Sequence, residues 1–365
     1  MKKILIALPS LSGGGAEKVG ITYANQLHKL GYDIQLLVFN NTKTLEGEIN
    51  KNINLKILDN KIRYSLVYYF KIIWSFEPEI IIGTIREVNI ISGFYKIIDK
   101  RKKIILMEAN TLNGLEYNSL IYKFFVLNLM RISYRLSDLI IANSHDTKND
   151  LVNNNIVSKS KINVIGNPVY FEDISILASK TISDDWLNNK KYKVILGAGR
   201  LVRQKNFSFL ISAFKKIHLK ERNSRLIILG SGPLKSELID HAKKIGINEK
   251  CKFINYVDNP YPYFKKAKLF ALSSSWEGFG NVIIDALSCG TQIISLNCLG
   301  GPKDILNNNT FGELIELDNE EEFVEKSIYL LNNQKFSEKE MKNRAKDYSA
   351  DQIVLTAMKR LENLE

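Results

Sequence analysis

The chain has 365 residues, 45% of them hydrophobic and 25% charged; this composition excludes a disordered or fibrous protein, and the length points to two domains, since single cores stop growing at roughly 250–300 residues. Its net charge of +12 is uneven: residues 1–165 carry 22 Lys and Arg against 14 Asp and Glu, the remainder 29 against 25, so the N-terminal half is better suited to an anionic surface or to phosphates. Three cysteines (Cys251, Cys289 and Cys298) lack CxxC spacing and a neighbouring His pair, which speaks against a disulfide framework or zinc site and fits a reducing cytoplasm.

Met1-Lys2-Lys3, the apolar residues 4–8 and Pro9 imitate a signal peptide, but the run is too short and reads as a first buried strand. Gly13-Gly14-Gly15 make a turn, residues 17–30 follow a helical period, Gly31 stops the helix, and residues 34–39 form the next strand. Strands at 80–83, 103–108 and 139–142, separated by helical segments, give the alternation of a parallel sheet covered on both faces. The pattern restarts with a strand at 192–197, a helix at 207–220, a strand at 226–229, a helix at 234–245, and strands near 252–254, 269–272 and 293–296. Residues 175–191 are polar and weakly periodic and read as a linker. The expected architecture is α/β, with two facing Rossmann-like doubly wound domains, 1–175 and 185–349, the C-terminal amphipathic helix 350–365 joining the first. Ligands of such sheets bind beyond the carboxyl ends of the strands, so two facing domains would enclose a cleft.

Two segments of the first half, 62–74 and 120–136, combine apolar and aromatic residues with Lys61, Arg63, Lys71, Lys123, Arg131 and Arg135. They fit either ordinary core helices or a membrane interface, and the basic first half tilts the expectation toward peripheral contact with an anionic membrane. No apolar stretch reaches the roughly 18 residues a spanning helix needs. The basic run 100–103 lacks interleaved aromatics and reads as a solvated turn, not a nucleic-acid site.

The chemistry concentrates in a few places. Gly13-Gly14-Gly15 precede a helix N-terminus, where backbone N–H groups favour anions; the same three residues also make a plain tight turn. Lys18 breaks the GxGxxG spacing, and the second strand ends in Phe39-Asn40-Asn41 without an acidic residue, so a nicotinamide dinucleotide is disfavoured. Arg200 at a strand end and Lys205 five residues later suit a diphosphate. Glu277 opens a Gly-broken loop, Gly278-Phe279-Gly280-Asn281, and Asp285 follows eight positions on, along a helix. Such carboxylates grip hydroxyls of a sugar or ribose, and the helix opening near Gly280 and Asn281 offers N–H groups to phosphate. No Ser/His/Asp arrangement, metal cluster or P-loop is found in the sequence.

Residues 259–264 (NPYPYF), Leu272-Ser273-Ser274, Glu277-Gly278-Phe279-Gly280-Asn281-Val282 and Gly301-Pro302 resemble the retaining family-4 glycosyltransferases, closest to bacterial members that build surface polysaccharides on lipid carriers. Gly13-Gly14-Gly15-Ala16-Glu17-Lys18, Ala142-Asn143-Ser144 and Ile165-Gly166-Asn167-Pro168 extend the resemblance to nearly the whole chain. It implies a GT-B fold and transfer of a sugar, with retention, from a UDP-linked donor to a hydroxyl of a lipid-linked glycan such as an O-antigen or capsule precursor, by an enzyme peripheral on the inner face of the cytoplasmic membrane. Arg200 and Lys205 would hold the diphosphate, Glu277 the sugar hydroxyls, Gly278, Phe279, Gly280 and Asn281 would supply N–H groups, and Gly14 and Gly15 would close over the donor. Neither a cofactor nor a metal is expected. Departures are Asp285 and Asp304 where Glu is usual, Gln292 for a common Pro, and Ala109 where many members carry His, which leaves Glu108 or Asn110 to serve the acceptor. A sugar epimerase or phosphorylase of similar architecture, or a non-catalytic sugar-binding protein at the membrane, is the competing expectation.

Overall fold

The computed structural model describes residues 2–12, 14–40, 42, 44–60, 62–112 and 120–363, the side chain of Arg63 excepted. The chain divides into two units, Met1–Pro168 with Ala350–Glu365, and Val169–Ser349.

The first unit is built on a seven-stranded sheet, β1 (Lys3–Ser10), β2 (Asp33–Asn40), β3 (Asn54–Ile57), β4 (Ile80–Gly83), β5 (Lys103–Glu108), β6 (Leu139–Ala142) and β7 (Ile162–Val164), in the order β3-β2-β1-β4-β5-β6-β7. Every pairing is parallel. Central strands of such a sheet are covered on both faces and therefore read as unbroken apolar runs, as 4–8 and 80–82 do here. β3 and β7 lie at the edges, only half-covered and only three or four residues long, and their sequences carry no such run. Helices α1 (Gly15–Lys29), α2 (Leu66–Phe76), α3 (Arg86–Ile98), α4 (Leu120–Leu136) and α5 (His145–Asn153) make the crossovers. A core cluster including Phe39, Tyr69, Tyr95, Met130 and Tyr134 fills the space under α2, α3 and α4. The Tyr69 hydroxyl is paired with Ser92 Oγ at 2.7 Å, which removes the cost of burying it. Gly93 lets α3 and α4 touch, because a Cβ there would lie 2.2 Å from Ser133 Oγ.

Segments 62–74 and 120–136 are neither wholly core nor wholly surface. Tyr69, Ile72 and Ile73 of α2 and Val126, Met130 and Tyr134 of α4 are buried. Their outer faces are apolar as well: Val67, Tyr68 and Trp74 are exposed, as are Ile121 and Phe125, and Leu120 and Phe124 keep 85% and 68% of their surface. Among the described residues no helix is long and apolar enough to cross a membrane.

The second unit carries a six-stranded sheet, β8 (Lys193–Ala198), β9 (Ser224–Leu229), β10 (Cys251–Ile254), β11 (Leu269–Leu272), β12 (Gln292–Leu296) and β13 (Glu313–Ile315), all parallel, in the order β10-β9-β8-β11-β12-β13. Its helices are α6 (Ile174–Ala178), α7 (Asp185–Asn188), α8 (Phe207–Lys220), α9 (Lys235–Lys244), α10 (Tyr261–Lys266), α11 (Asn281–Cys289), α12 (Pro302–Ile305), α13 (Glu320–Asn332) and α14 (Glu338–Lys346). The first half of the expected linker is not a free connection. α6 packs on α10 and α11, Asn259 Nδ2 donates to Leu177 O at 2.9 Å, and Val169 and Tyr170 N–H both donate to Tyr348 O, so the chain enters this unit at Val169 instead of after residue 175. The polar composition of 175–191 reflects caps and pairs: Asp184 Oδ1 caps α7 and its Oδ2 meets Lys252 Nζ at 2.6 Å. After α14 the last helix, α15 (Ala350–Glu362), returns to pack on α1 and β6 of the first unit.

Gln292 shows why a residue other than Pro is accommodated at that position. Its buried amide donates to the carbonyls of Leu330 and Asn333 and accepts from Lys335 N, all at 2.8 Å, closing the C-terminal end of α13. Gln292→Ala leaves those backbone groups unsatisfied and is expected to lower stability by roughly 2–4 kcal/mol, read from urea denaturation; a loss under 0.5 kcal/mol would contradict this account.

Candidate functional site

In a doubly wound sheet the ligand crevice opens where the strand order reverses, because the loops on either side leave in opposite directions. In the second unit that point lies between β8 and β11, which are hydrogen-bonded neighbours. The two loops leaving their carboxyl ends carry the residues singled out in the sequence: Arg200 and Lys205 after β8, and Glu277 after β11.

Those side chains meet. Lys205 Nζ lies 2.6 Å from Glu277 Oε1, with 14% and 6% of the two side chains exposed. Ser274 Oγ donates to the same oxygen at 2.6 Å. The surrounding backbone is stitched to match. Ser273 Oγ donates to Lys205 O at 2.8 Å, Gln204 Nε2 donates to Trp276 O, and Ser275 N donates to Gln204 O, both at 2.9 Å. Glu277 N donates to Leu299 O at 2.9 Å, which draws in the loop after β12. Gly300, at φ +126, is required there: a Cβ would sit 2.3 Å from Glu277 O. Arg200 is exposed at the mouth of the same loops.

The loop after Glu277 turns into α11 through Gly280, whose φ of +94 makes it a left-handed N-cap. Phe279 is buried with its ring 5.7 Å from that of Tyr348, so its side chain anchors the loop and only its backbone is available to a ligand. Asn281 begins α11 and Asp285 lies one turn further in, half-buried. Ser273, Ser274 and Gln204 were not singled out as site residues from sequence; for the serines the signal was a run of three hydroxyls, Ser273-Ser274-Ser275, after an apolar strand, and Gln204 gave none.

The first unit's reversal point lies between β1 and β4 and has a different chemistry. Gly13 falls outside the described residues; Gly14 is the N-cap of α1, and Gly15 its first residue. A Cβ on Gly14 would lie 2.2 Å from Glu17 Oε2, and Glu17 Oε1 accepts from Ser10 Oγ at 2.9 Å and from Ser12 Oγ at 3.1 Å. The glycine loop thus already holds a carboxylate of its own. At the end of β5, Glu108 and Asn110 part company: Asn110 is exposed, while Glu108 is 3% exposed with its carboxyl accepting from Tyr134 OH. Burial pushes the Glu108 carboxyl up from the usual carboxylate range, with the Arg86 charge and the Tyr134 hydrogen bond opposing the shift. The Glu108 carboxyl expected to serve an acceptor is thus little exposed and already holds the Tyr134 hydroxyl of α4. Nearby, Asn143 Nδ2 holds Ala109 O at 2.9 Å and Ser144 caps α5, which accounts locally for that Asn-Ser pair.

A buried charge pair is costly to break from one side, since the remaining ion stays out of water. Lys205→Met is expected to destabilise the protein by roughly 3 kcal/mol, whereas Lys205→Met combined with Glu277→Gln costs less than the single change in thermal or urea unfolding. Simple additivity of the two would show that the pair is not coupled.

The residues match two family models, Glycosyltransferase Family 4 over 13–173 and Glycosyl transferases group 1 over 178–349. Among curated relatives, a Campylobacter jejuni N-acetylgalactosamine-N,N'-diacetylbacillosaminyl-diphospho-undecaprenol 4-alpha-N-acetylgalactosaminyltransferase is 29% identical over 99% of this chain and 100% of its own length. A second C. jejuni protein, named for alpha-1,4-N-acetyl-D-galactosaminyl transfer to a GalNAc-containing PP-undecaprenol substrate, is 28% identical over 96% of this chain and 94% of its own. Among solved structures, Anabaena HepE in complex with UDP superposes with a TM-score of 0.82 at 18% identity, covering 100% of both chains. With both halves matched by their own models and the whole fold shared, the chain belongs to the family-4 glycosyltransferases of GT-B architecture.

Proposed function

We propose that the protein transfers a sugar from a UDP-sugar, with retention at the anomeric carbon and without a metal, to a hydroxyl of a glycan carried on a lipid diphosphate in bacterial surface-polysaccharide assembly. The observation that carries this is the Lys205–Glu277 pair beside the exposed Arg200 at the reversal point of the second sheet. Arg200 and Lys205 meet the donor diphosphate, Glu277 accepts from the sugar hydroxyls, and the N–H groups from Gly280 onward at the start of α11 lie along the phosphates. In the reaction the bond from the anomeric carbon to the phosphate oxygen breaks with its electron pair on the diphosphate, the acceptor oxygen bonds the same face, and its proton passes to that phosphate. Most of the acceleration then comes from cations fixed where negative charge develops. The relatives' names support N-acetylgalactosamine as the first sugar to try and an undecaprenyl diphosphate-linked glycan as acceptor, and the complex of HepE supports UDP.

The acceptor's lipid gives the exposed apolar faces of α2 and α4 a role. A monomeric protein rarely leaves large aromatic and aliphatic side chains together in water, and here they are accompanied by basic residues, Lys71 among them. These faces rest on the cytoplasmic leaflet and keep the enzyme peripheral on it.

Two measurements test the reading. Incubation with UDP-N-acetylgalactosamine and a lipid diphosphate-linked glycan should give an α-linked product by NMR, and Glu277→Ala should lower turnover at least a hundredfold in a folded protein; full activity of that variant removes Glu277 from the site, and interconversion of free nucleotide sugar without acceptor favours an epimerase. In flotation with anionic liposomes at low salt the wild type should rise with the lipid, and Phe124→Glu with Phe125→Glu should stay behind; a wild type that does not float returns α2 and α4 to a soluble role.

A further inference from the structure

The geometry points to Ser274 as a positioning residue that aims the Glu277 carboxylate at the donor sugar, an inference that rests on the donor reading above. Ser274 is fully buried at the end of β11, and its Oγ donates to Glu277 Oε1 at 2.6 Å. Its neighbour Ser273 does something different, holding the main-chain carbonyl of Lys205 at 2.8 Å. Of the two hydroxyls, only that of Ser274 touches the carboxylate.

The need for this contact appears when the diphosphate arrives. Lys205 is the only cation paired with Glu277 among the described ion pairs, and the same Nζ is the group that meets the phosphates. As Lys205 turns to the diphosphate, Glu277, 5% exposed, loses its cation. Ser274 lies within the same buried loop and has no reason to move, so it remains as the donor that keeps one carboxylate oxygen occupied and the other oxygen directed at hydroxyls of the sugar. A hydrogen bond to an ionised group is the stronger kind, and a carboxylate held by a fixed donor loses little freedom when it binds. Ser274 therefore acts through Glu277 on the sugar and not on the nucleotide.

The experiment compares Ser274→Ala and Ser274→Thr with wild type by calorimetric titration of UDP and of the UDP-sugar the wild type binds, UDP-N-acetylgalactosamine first, with thermal melts alongside. Ser274→Ala removes one oxygen and adds no volume. The expected result is UDP affinity within about twofold of wild type, UDP-sugar affinity weaker by about tenfold, and recovery of most of that loss in Ser274→Thr. Equal weakening for UDP and UDP-sugar with a lowered melting temperature would make Ser274 a loop brace only and overturn the inference, as would unchanged binding of both. A wild type that binds neither ligand overturns the donor reading itself, a result separate from any behaviour of the variants.

Discussion

A carboxylate almost wholly removed from water demands compensation, and in this protein the demand of Glu277 organises a whole face of the second unit. Lys205 comes from the loop after β8, Ser274 from the end of β11, and the carbonyl that receives Glu277 N–H from the loop after β12. Three strand ends thereby converge on one residue, two through its carboxylate and one through its backbone N–H. At 2.6 Å and low exposure the pair is shielded much less by solvent than a surface ion pair. The close approaches at Gly300 and Gly301, whose Cβ atoms would lie 2.3 and 2.1 Å from backbone oxygens of Glu277 and Phe279, are the steric counterpart of the same convergence.

The two sheets share a reversal of strand order near their centres, yet the chemistry beyond the strand ends differs. In the second unit the loops offer Arg200, Lys205 and the start of α11. In the first, the loop after β1 is filled by Glu17 under two serine hydroxyls, and β5 ends in Glu108 under Tyr134. In the second unit the resident carboxylate, Glu277, is accompanied by cations, whereas in the first Glu17 and Glu108 are met by neutral hydroxyls.

The helices α2 and α4 extend this division of labour. Each buries one stripe in the core and still presents apolar residues outward, which a helix serving only the core would not retain.

The sequence by itself determined the fold class, because central parallel strands are covered on both faces and declare themselves as apolar runs: the strands at 80–83, 103–108 and 139–142 were legible to the residue. It also singled out Arg200, Lys205 and Glu277, which the second sheet places on the loops at its reversal point. The edge strands β3, β7 and β13 were not legible, being short and half-solvated, and neither was the attachment of residues 169–178, whose short helix makes contacts to α10 and α11 that lie far away in the chain. Only tertiary structure decided that Lys205 and Glu277 form a pair with Ser274 across 72 residues of chain, that Glu108 is held by Tyr134, and that α2 and α4 leave an apolar face uncovered. The reason is physical: composition and period report which residues avoid water, whereas the partner of a buried charge is set by which strand ends the sheet brings together.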